Sequence, residues 1–191
     1  MHDDLSKFIE KTEPFWQQRE WIPLLAGSAS DPDYAKAVRE ELRAVCGDDD
    51  QACVVLDSFL PPSSLAAILS CSIVNVHPCS YDAYGMTIME CAALAVPSVI
   101  ASGGHVGASV HVGNGASIEV EMSQTNEDMS DDAVEQIVKV LKDSREMERL
   151  GKKARQRALA WDEDAYGLAM LHHIECLQPR ARGNHKSLNS Y

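Results

Sequence analysis

Aromatic residues make up only 6% of the 191 positions, and no apolar run approaches the ~20 residues that a membrane-crossing helix needs. The longest, from Ala92 to Ala101, is interrupted by Pro97 and Ser98. Basic residues are few: 17 Lys and Arg stand against 29 Asp and Glu, a formal net charge of −12. That balance excludes a general nucleic-acid binder, whose affinity comes mostly from neutralising phosphates. No C-x-x-C pair occurs among the six cysteines (Cys46, Cys53, Cys71, Cys79, Cys91 and Cys176), so they are expected to be small buried hydrophobes. Repeats are absent, and Met1-His2-Asp3-Asp4-Leu5 has no basic segment leading into an apolar one, which is read as no secretory signal and a cytoplasmic setting. What remains is a globular chain, 45% hydrophobic and 24% charged, with enough length to bury a sizeable core. An anionic ligand of so acidic a chain must be met locally, by a helix N-terminus or by one or two placed basic side chains.

Residues 4 to 18 read as a helix, and Trp21 to Ala26 as a short apolar strand ending at Gly27-Ser28. Ser30-Asp31-Pro32-Asp33 then supplies a capping oxygen, a first-turn proline and early acidic charge to a helix that runs to Val45 and stops at Gly47. Cys53 to Leu56 is the next strand, Pro61 to Cys71 a helix, and Ile73 to Val76 a strand closed by His77-Pro78. A helix from Gly85 to Ala95 leads to a strand over Pro97 to Ala101, a glycine-rich loop from Ser102 to Gly107, and a weak strand near Ser117 to Val120. Short buried strands alternating with single helices imply a parallel sheet with right-handed crossovers, a Rossmann-like α/β fold with helices on both faces. Three helices follow, over Asp131 to Lys142, Ser144 to Ala160 and Asp162 to Leu177; residues 1 to 177 form one domain on this reading, and 178 to 191 a disordered tail.

The chemistry concentrates in the segment from His77 to Leu94. Past Gly85 the helix is apolar on nearly every side and so is expected to be buried, with Glu90 its only charge. A buried carboxylate is costly without hydrogen-bond donors, so Glu90 either caps internal donors or faces a ligand. Asp82 lies eight positions earlier, just outside the helix, and is also placed to cap it. Between the two, the free N–H groups around Ala83 to Thr87 form a helix N-terminus suited to phosphate. Carboxylates accept hydrogen bonds and sugar hydroxyls donate them, so the combination points to a nucleotide sugar. His77, Cys79 and Asp82 have the ligand types of a metal site but no fourth partner at suitable spacing, and Asp31-Pro32-Asp33 is explained by capping.

The same segment resembles the signature of retaining GT-B glycosyltransferases of family 4 (glycosyl transferases group 1), in which two acidic residues separated by seven others flank a Phe-Gly or Tyr-Gly step. Here the acids are Asp82, shorter than the usual Glu, and Glu90, and the step is Tyr84-Gly85. Gly27-Ser28, Asp57 to Pro61, Ala95 to Ser102 and Met147 to Ala158 resemble further parts of that family's C-terminal, donor-binding domain. The resemblance implies that Glu90 holds the donor ribose and Asp82 a hydroxyl of the transferred sugar. The backbone of Ala83, Tyr84, Gly85 and Met86, with Thr87, would hold the diphosphate, Gly27 the first strand-end turn, and Phe59 and Leu60 would lie near the base. Gly103 and Gly104 match the family's paired glycines, although the acidic residue expected next is replaced by His105-Val106-Gly107-Ala108.

The implied substrate is a nucleotide-diphosphate sugar, with no metal or other cofactor required. The strand and loop bearing an Arg and a Lys that open the family's donor half, and the acceptor-binding domain before it, have no counterpart in residues 1 to 27. Activity is therefore expected to need an acceptor-binding half, from a longer chain or a partner polypeptide. The other readings are a non-catalytic truncated relative acting through protein contacts, and a GT-B relative that epimerises or phosphorolyses sugars. The basic stretch from Lys142 to Arg157 is read as a solvated face paired partly with the acidic stretch from Glu119 to Glu135, or as a peripheral contact with a membrane's cytosolic surface.

Overall fold

A computed structural model describes residues 21–28, 31–47, 53–79, 81–103, 105–122 and 130–177. The helix expected over residues 4 to 18, Gly104 and the tail from 178 lie outside the described residues. The chain divides into two compact units, Met1–Ala158 and Leu159–Tyr191.

In the first unit, strands β1 (Leu24–Ala26), β2 (Val54–Leu56), β3 (Asn75–Val76), β4 (Ser98–Ala101) and β5 (Ile118–Val120) alternate with helices α1 (Pro32–Cys46), α2 (Pro62–Ser70), α3 (Met86–Ala93) and α4 (Ser109–Val112). Helices α5 (Asp131–Leu141) and α6 (Ser144–Leu159) follow. All pairings are parallel, in two hydrogen-bonded groups: β1 with β2, and β3-β4-β5 with β4 in the middle. Each α-crossover is what a parallel pair requires, since a hairpin can join only antiparallel strands. The sequence thus foretells the α/β class and every strand, while α4 is an element it does not announce.

Local chemistry sets the helix ends. The Asp31 carboxylate accepts the N–H groups of Asp33 and Tyr34, each at 3.0 Å, and Gly47, at φ +87°, stops α1. Ser130 caps α5 through the Ala133 N–H, and Asp143 caps α6 through those of Arg145 and Glu146. Strand β4 is buried along its whole length. Around it pack Ile88 and Ala92 of α3, the stripe Ala133, Val134, Ile137 and Leu141 of α5, and Met147, Leu150 and Ala154 of α6. These spacings of three and four residues put one face of each helix on the sheet, at about 1.5–3 kcal/mol for each large aliphatic side chain buried.

One expectation needs correction. Among the described cysteines only Cys91 is fully buried; Cys46, Cys53 and Cys79 are half-buried and Cys71 is exposed, because the short strands leave the ends of their flanking helices and loops at the surface. Most described basic residues of α6 find partners in their own helix and in nearby carbonyls. Arg149 and Lys152 pair with Glu146 and Glu148 of their own helix, at three- and four-residue spacing. Arg155 donates to the Ala93 carbonyl at 3.0 Å, while Lys153 and Arg157 donate to the carbonyls of Asn114 and Gly113, so these cations serve the open C-terminal ends of α3 and α4.

In the second unit, Asp162 caps α7 (Glu163–Leu177) through the Ala165 N–H at 2.8 Å, and Trp161 meets Tyr166 edge to face. Among the described residues no helix is long and apolar enough to cross a membrane.

Candidate functional site

The carboxyl ends of β1, β2, β3 and β4 lead into the turns that carry Gly27, Phe59 with Leu60, His77 to Gly85, and Gly103. Open parallel sheets bind ligands at this edge. The turn after β3 is the most highly organised. Asp82 Oδ1 accepts the N–H groups of Tyr84 at 2.9 Å and Gly85 at 2.7 Å, which folds residues 82 to 85 into a tight turn ahead of α3. Gly85 sits at φ +82°, a left-handed conformation that suits glycine, and passes the chain into the helix.

Two neighbours hold this turn. On one side, His77 Nε2 is buried and stands 3.2 Å from Asp82 Oδ2, without the alignment of a directed hydrogen bond. On the other, the segment after β4 runs parallel to it: the Asp82 N–H donates to the His105 carbonyl at 3.1 Å, and the Gly107 N–H to the Asp82 carbonyl at 2.9 Å. Gly107 comes so close that any side chain there would strike the Ala83 carbonyl. The Asp82 carboxyl is held below its ordinary value, first by the Tyr84 N–H, then by the Gly85 N–H and by His77, against an opposing effect of burial.

The amides of Tyr84 and Gly85 are thus already engaged by a carboxylate of the chain itself. Those of Ala83, Met86 and Thr87 have no hydrogen bond to another described residue. Met86 and Thr87 are exposed, so the amino end of α3 is open to solvent, whereas the apolar composition of this helix leads one to expect burial throughout. Burial is confined to Ile88, Cys91 and Ala92 on the core side. Glu90 lies one turn beyond Met86, about 6 Å along the helix axis. It is half-buried, and no described residue hydrogen-bonds or pairs with it. Its charge, after the larger effect of burial, helps push the neighbouring Cys91 thiol up to about 12.

The structure brings Asp82, Ala83, Tyr84, Gly85, Met86, Thr87 and Glu90 together on one turn and one helix. Gly27 ends β1 with open space beside it, and its N–H donates to the Leu56 carbonyl at 3.0 Å. Phe59, 87% exposed, and Leu60 follow β2, and Gly103, at φ +99°, follows β4. No hydrogen bond among the described residues ties these to the Asp82 turn. Sequence reasoning assigns no site role to Gly107 and weighs His77 only as part of a metal-ligand set that lacks a fourth partner. The signal for Gly107 was a glycine preceding buried Ala108 in a loop already rich in glycine. Among the described residues no three His, Cys, Asp or Glu side chains converge as a metal-ligand set. A hollow on α5, lined by Asp131, Val134, Glu135 and Val138, presents carboxylates and aliphatic groups and no donor set for an anion.

No family model and no curated protein sequence matches the chain. Solved structures do. The C-terminal domain of a glycosyl transferase group 1 family protein from Francisella tularensis matches at TM-score 0.64 and 12% identity, over 83% of this chain and 78% of that one. An E. coli trehalose-6-phosphate structure bound with UDP-2-fluoro glucose matches at TM-score 0.69 and 14% identity, over 94% of this chain and 41% of that one. The UDP-forming α,α-trehalose-phosphate synthase of Burkholderia vietnamiensis matches at TM-score 0.66 and 14% identity, over 92% and 42%. The chain therefore has the fold of the C-terminal, Rossmann-like half of GT-B glycosyltransferases. It spans about two fifths of the length of the E. coli and Burkholderia vietnamiensis chains.

Proposed function

We propose that the chain is the donor-binding half of a retaining, family 4 type GT-B glycosyltransferase, taking a nucleotide-diphosphate sugar and completed by an acceptor-binding half. The observation that carries this reading is the pairing of an unpartnered, half-buried carboxylate, Glu90, with the open amino end of the same short helix. A carboxylate that accepts from sugar hydroxyls stands one helical turn from amides that donate to phosphate. The bound UDP-2-fluoro glucose of the E. coli structure supports a nucleotide sugar as the ligand class.

In this reading Glu90 accepts the ribose hydroxyls, and the amides of Met86 and Thr87 receive the diphosphate. The amides of Tyr84 and Gly85 become available only if Asp82 gives them up. Asp82 shapes the turn with Oδ1 and offers the remaining lone pairs of Oδ2 to a hydroxyl of the transferred sugar. Transfer breaks the bond between the sugar's anomeric carbon and the diphosphate oxygen, the electron pair leaving with the diphosphate. The acceptor hydroxyl attacks from the face the leaving group vacates, and its proton passes to the departing phosphate. The chain contributes positioning and stabilisation of the developing charge. A cytoplasmic location belongs to the same proposal.

A second reading, a non-catalytic relative acting through protein contacts, is favoured by one observation: Asp82 occupies two amides that the resemblance assigns to phosphate. Calorimetric titration with UDP, GDP, ADP and UDP-glucose separates the two. The transferase reading expects one nucleotide to bind, and Glu90→Gln to weaken it about 10- to 100-fold, as loss of a hydrogen-bonded charge worth about 1.5–3 kcal/mol implies. Wild-type affinity for every nucleotide in a folded Glu90→Gln variant would refute the site, and no binding at all would favour the second reading.

A further inference from the structure

The turn before α3 leaves one of its own polar atoms unserved. His77 Nε2 is buried, and no described residue completes a hydrogen bond with it. A buried polar atom in that state is costly and rare in a folded chain. Yet a carboxylate oxygen, Asp82 Oδ2, stands 3.2 Å away, within hydrogen-bond distance and lacking only the direction. The carboxylate faces elsewhere because its other oxygen, Oδ1, is held by the N–H groups of Tyr84 at 2.9 Å and Gly85 at 2.7 Å. Asp82 serves two amides and leaves the imidazole without a partner.

The freedom to resolve this lies in the Asp82 side chain. The main chain of His77 is fixed by its N–H, which donates to the Val99 carbonyl at 3.0 Å, and that of Asp82 by its bridge to His105 and Gly107. Gly107 packs on Ala83 without room for a methyl group, so the turn does not shift as a body. The His77 side chain is 14% exposed and that of Asp82 32%, so the carboxylate has solvent beside it while the ring is enclosed. The terminal torsion of an aspartate is broad and soft, and the carboxylate turns about it at small cost. The Cys79 thiol, the other titratable group beside this carboxylate, is a weak donor and a poor rival to the imidazole.

An anion at the amino end of α3 needs the amides that Asp82 holds. A carboxylate there both occupies the donors and repels the incoming charge. We propose that His77 is the second seat of the Asp82 carboxylate: when a diphosphate arrives, Asp82 passes from the amides of Tyr84 and Gly85 to the Nε2–H of His77, and phosphate takes its place on the amides. The turn is closed by an internal substitute for phosphate, and His77 is a positioning residue, too enclosed to touch the ligand, that takes the substitute away. No covalent bond changes. Two amide hydrogen bonds pass from carboxylate to phosphate, and one forms at a nitrogen that had none. The carboxylate oxygen not on His77 stays open to a hydroxyl of the transferred sugar. This inference deepens the proposed function and rests on its placement of a nucleotide diphosphate at α3.

The test titrates the full, isotopically labelled chain with UDP and with inorganic pyrophosphate, following the backbone amides and the His77 ring nitrogens by NMR and taking affinities from the same titrations. Either probe is expected to move His77 Nε2 together with the Tyr84 and Gly85 amides. In Asp82→Asn the ring should stay unmoved and both probes should bind more tightly, since a neutral side chain competes less for the amides. His77→Phe, which offers the carboxylate no second seat, should bind at least about tenfold more weakly. His77→Gln, whose side-chain amide can donate, should keep most of the affinity. In the Asp82→Asn background the His77→Phe penalty should fall below about twofold, whereas a merely structural role for the ring costs the same in both backgrounds. If His77→Phe does not fold, the ring-nitrogen response of the wild-type chain decides alone. Shifts at Met86 and Thr87 with an unmoved His77 ring, or an equal penalty in both backgrounds, would overturn this inference and leave the nucleotide site standing. No response to either probe at the amino end of α3 would overturn both.

Discussion

Gly107 approaches Ala83 so closely that a β-carbon on it would stand 2.3 Å from the Ala83 carbonyl oxygen and 2.9 Å from the Tyr84 α-carbon. This contact locks the loop after β4 against the turn before α3, and with it the position of Asp82. Gly107→Ala should therefore shift the turn or break the parallel bridge. Overpacking of this kind costs about 1–3 kcal/mol. The expected outcome is a melting temperature lower by several degrees, together with displaced amide resonances of Tyr84 and Gly85. Unchanged resonances at those two residues would contradict the contact.

The pH response of the same turn follows from Asp82. Its folded-state pKa lies below the ordinary 3.8, held there first by the Tyr84 N–H. A depressed carboxyl stabilises fully above the unfolded value, and that stabilisation is lost as pH falls through the folded value. Exchange of the Tyr84 and Gly85 amides should accelerate in acid relative to their intrinsic rates, with a midpoint below 3.8, and Asp82→Asn should abolish that transition. A midpoint at or above 3.8 would show that these amides do not hold the carboxylate.

Helix α6 depends on a second close approach. A β-carbon at Gly151 would lie 2.1 Å from the Ala95 carbonyl oxygen, in a turn where Ala95 itself sits at φ +63°. Alanine is intrinsically better in a helix than glycine by about 0.8–1.0 kcal/mol. Here the clash should win, giving a net loss of about 1–2 kcal/mol in urea unfolding. A stabilised Gly151→Ala variant would place α6 farther from that turn.

The cysteines report on burial residue by residue. Cys71 is exposed, whereas burial, followed by the nearby Glu90 charge, pushes the Cys91 thiol up to about 12. With N-ethylmaleimide at neutral pH, Cys71 should be modified before Cys46, Cys53 and Cys79, and Cys91 only on unfolding. Rapid labelling of Cys91 in the folded chain would contradict the packing of α3 on β4.

Much of this architecture is written locally. The capping oxygen of Asp31, the stop at Gly47, the apolar runs of β2 and β4 and the start of α3 at Gly85 are each encoded within a few residues, and the sequence reads accordingly. What it conceals is tertiary. Gly107 matters because of Ala83, which is distant in sequence, and α4 is a single turn with no cap or periodicity to announce it. The basic side chains of α6 look like a solvated face until Arg155 and Arg157 are seen reaching the carbonyls of Ala93 and Gly113. Cysteine type alone did not reveal that Cys71 ends a helix at the surface.

The central claim is that an anion-bearing nucleotide sits at the amino end of α3 under Glu90. The most direct measurement is a titration of the isotopically labelled chain with a nucleoside diphosphate, UDP first, following each backbone amide by NMR. The account predicts saturable shifts at Met86 and Thr87, smaller ones at Tyr84 and Gly85, and their loss in Glu90→Gln. Shifts confined to other parts of the chain, or identical responses in the variant, would contradict it.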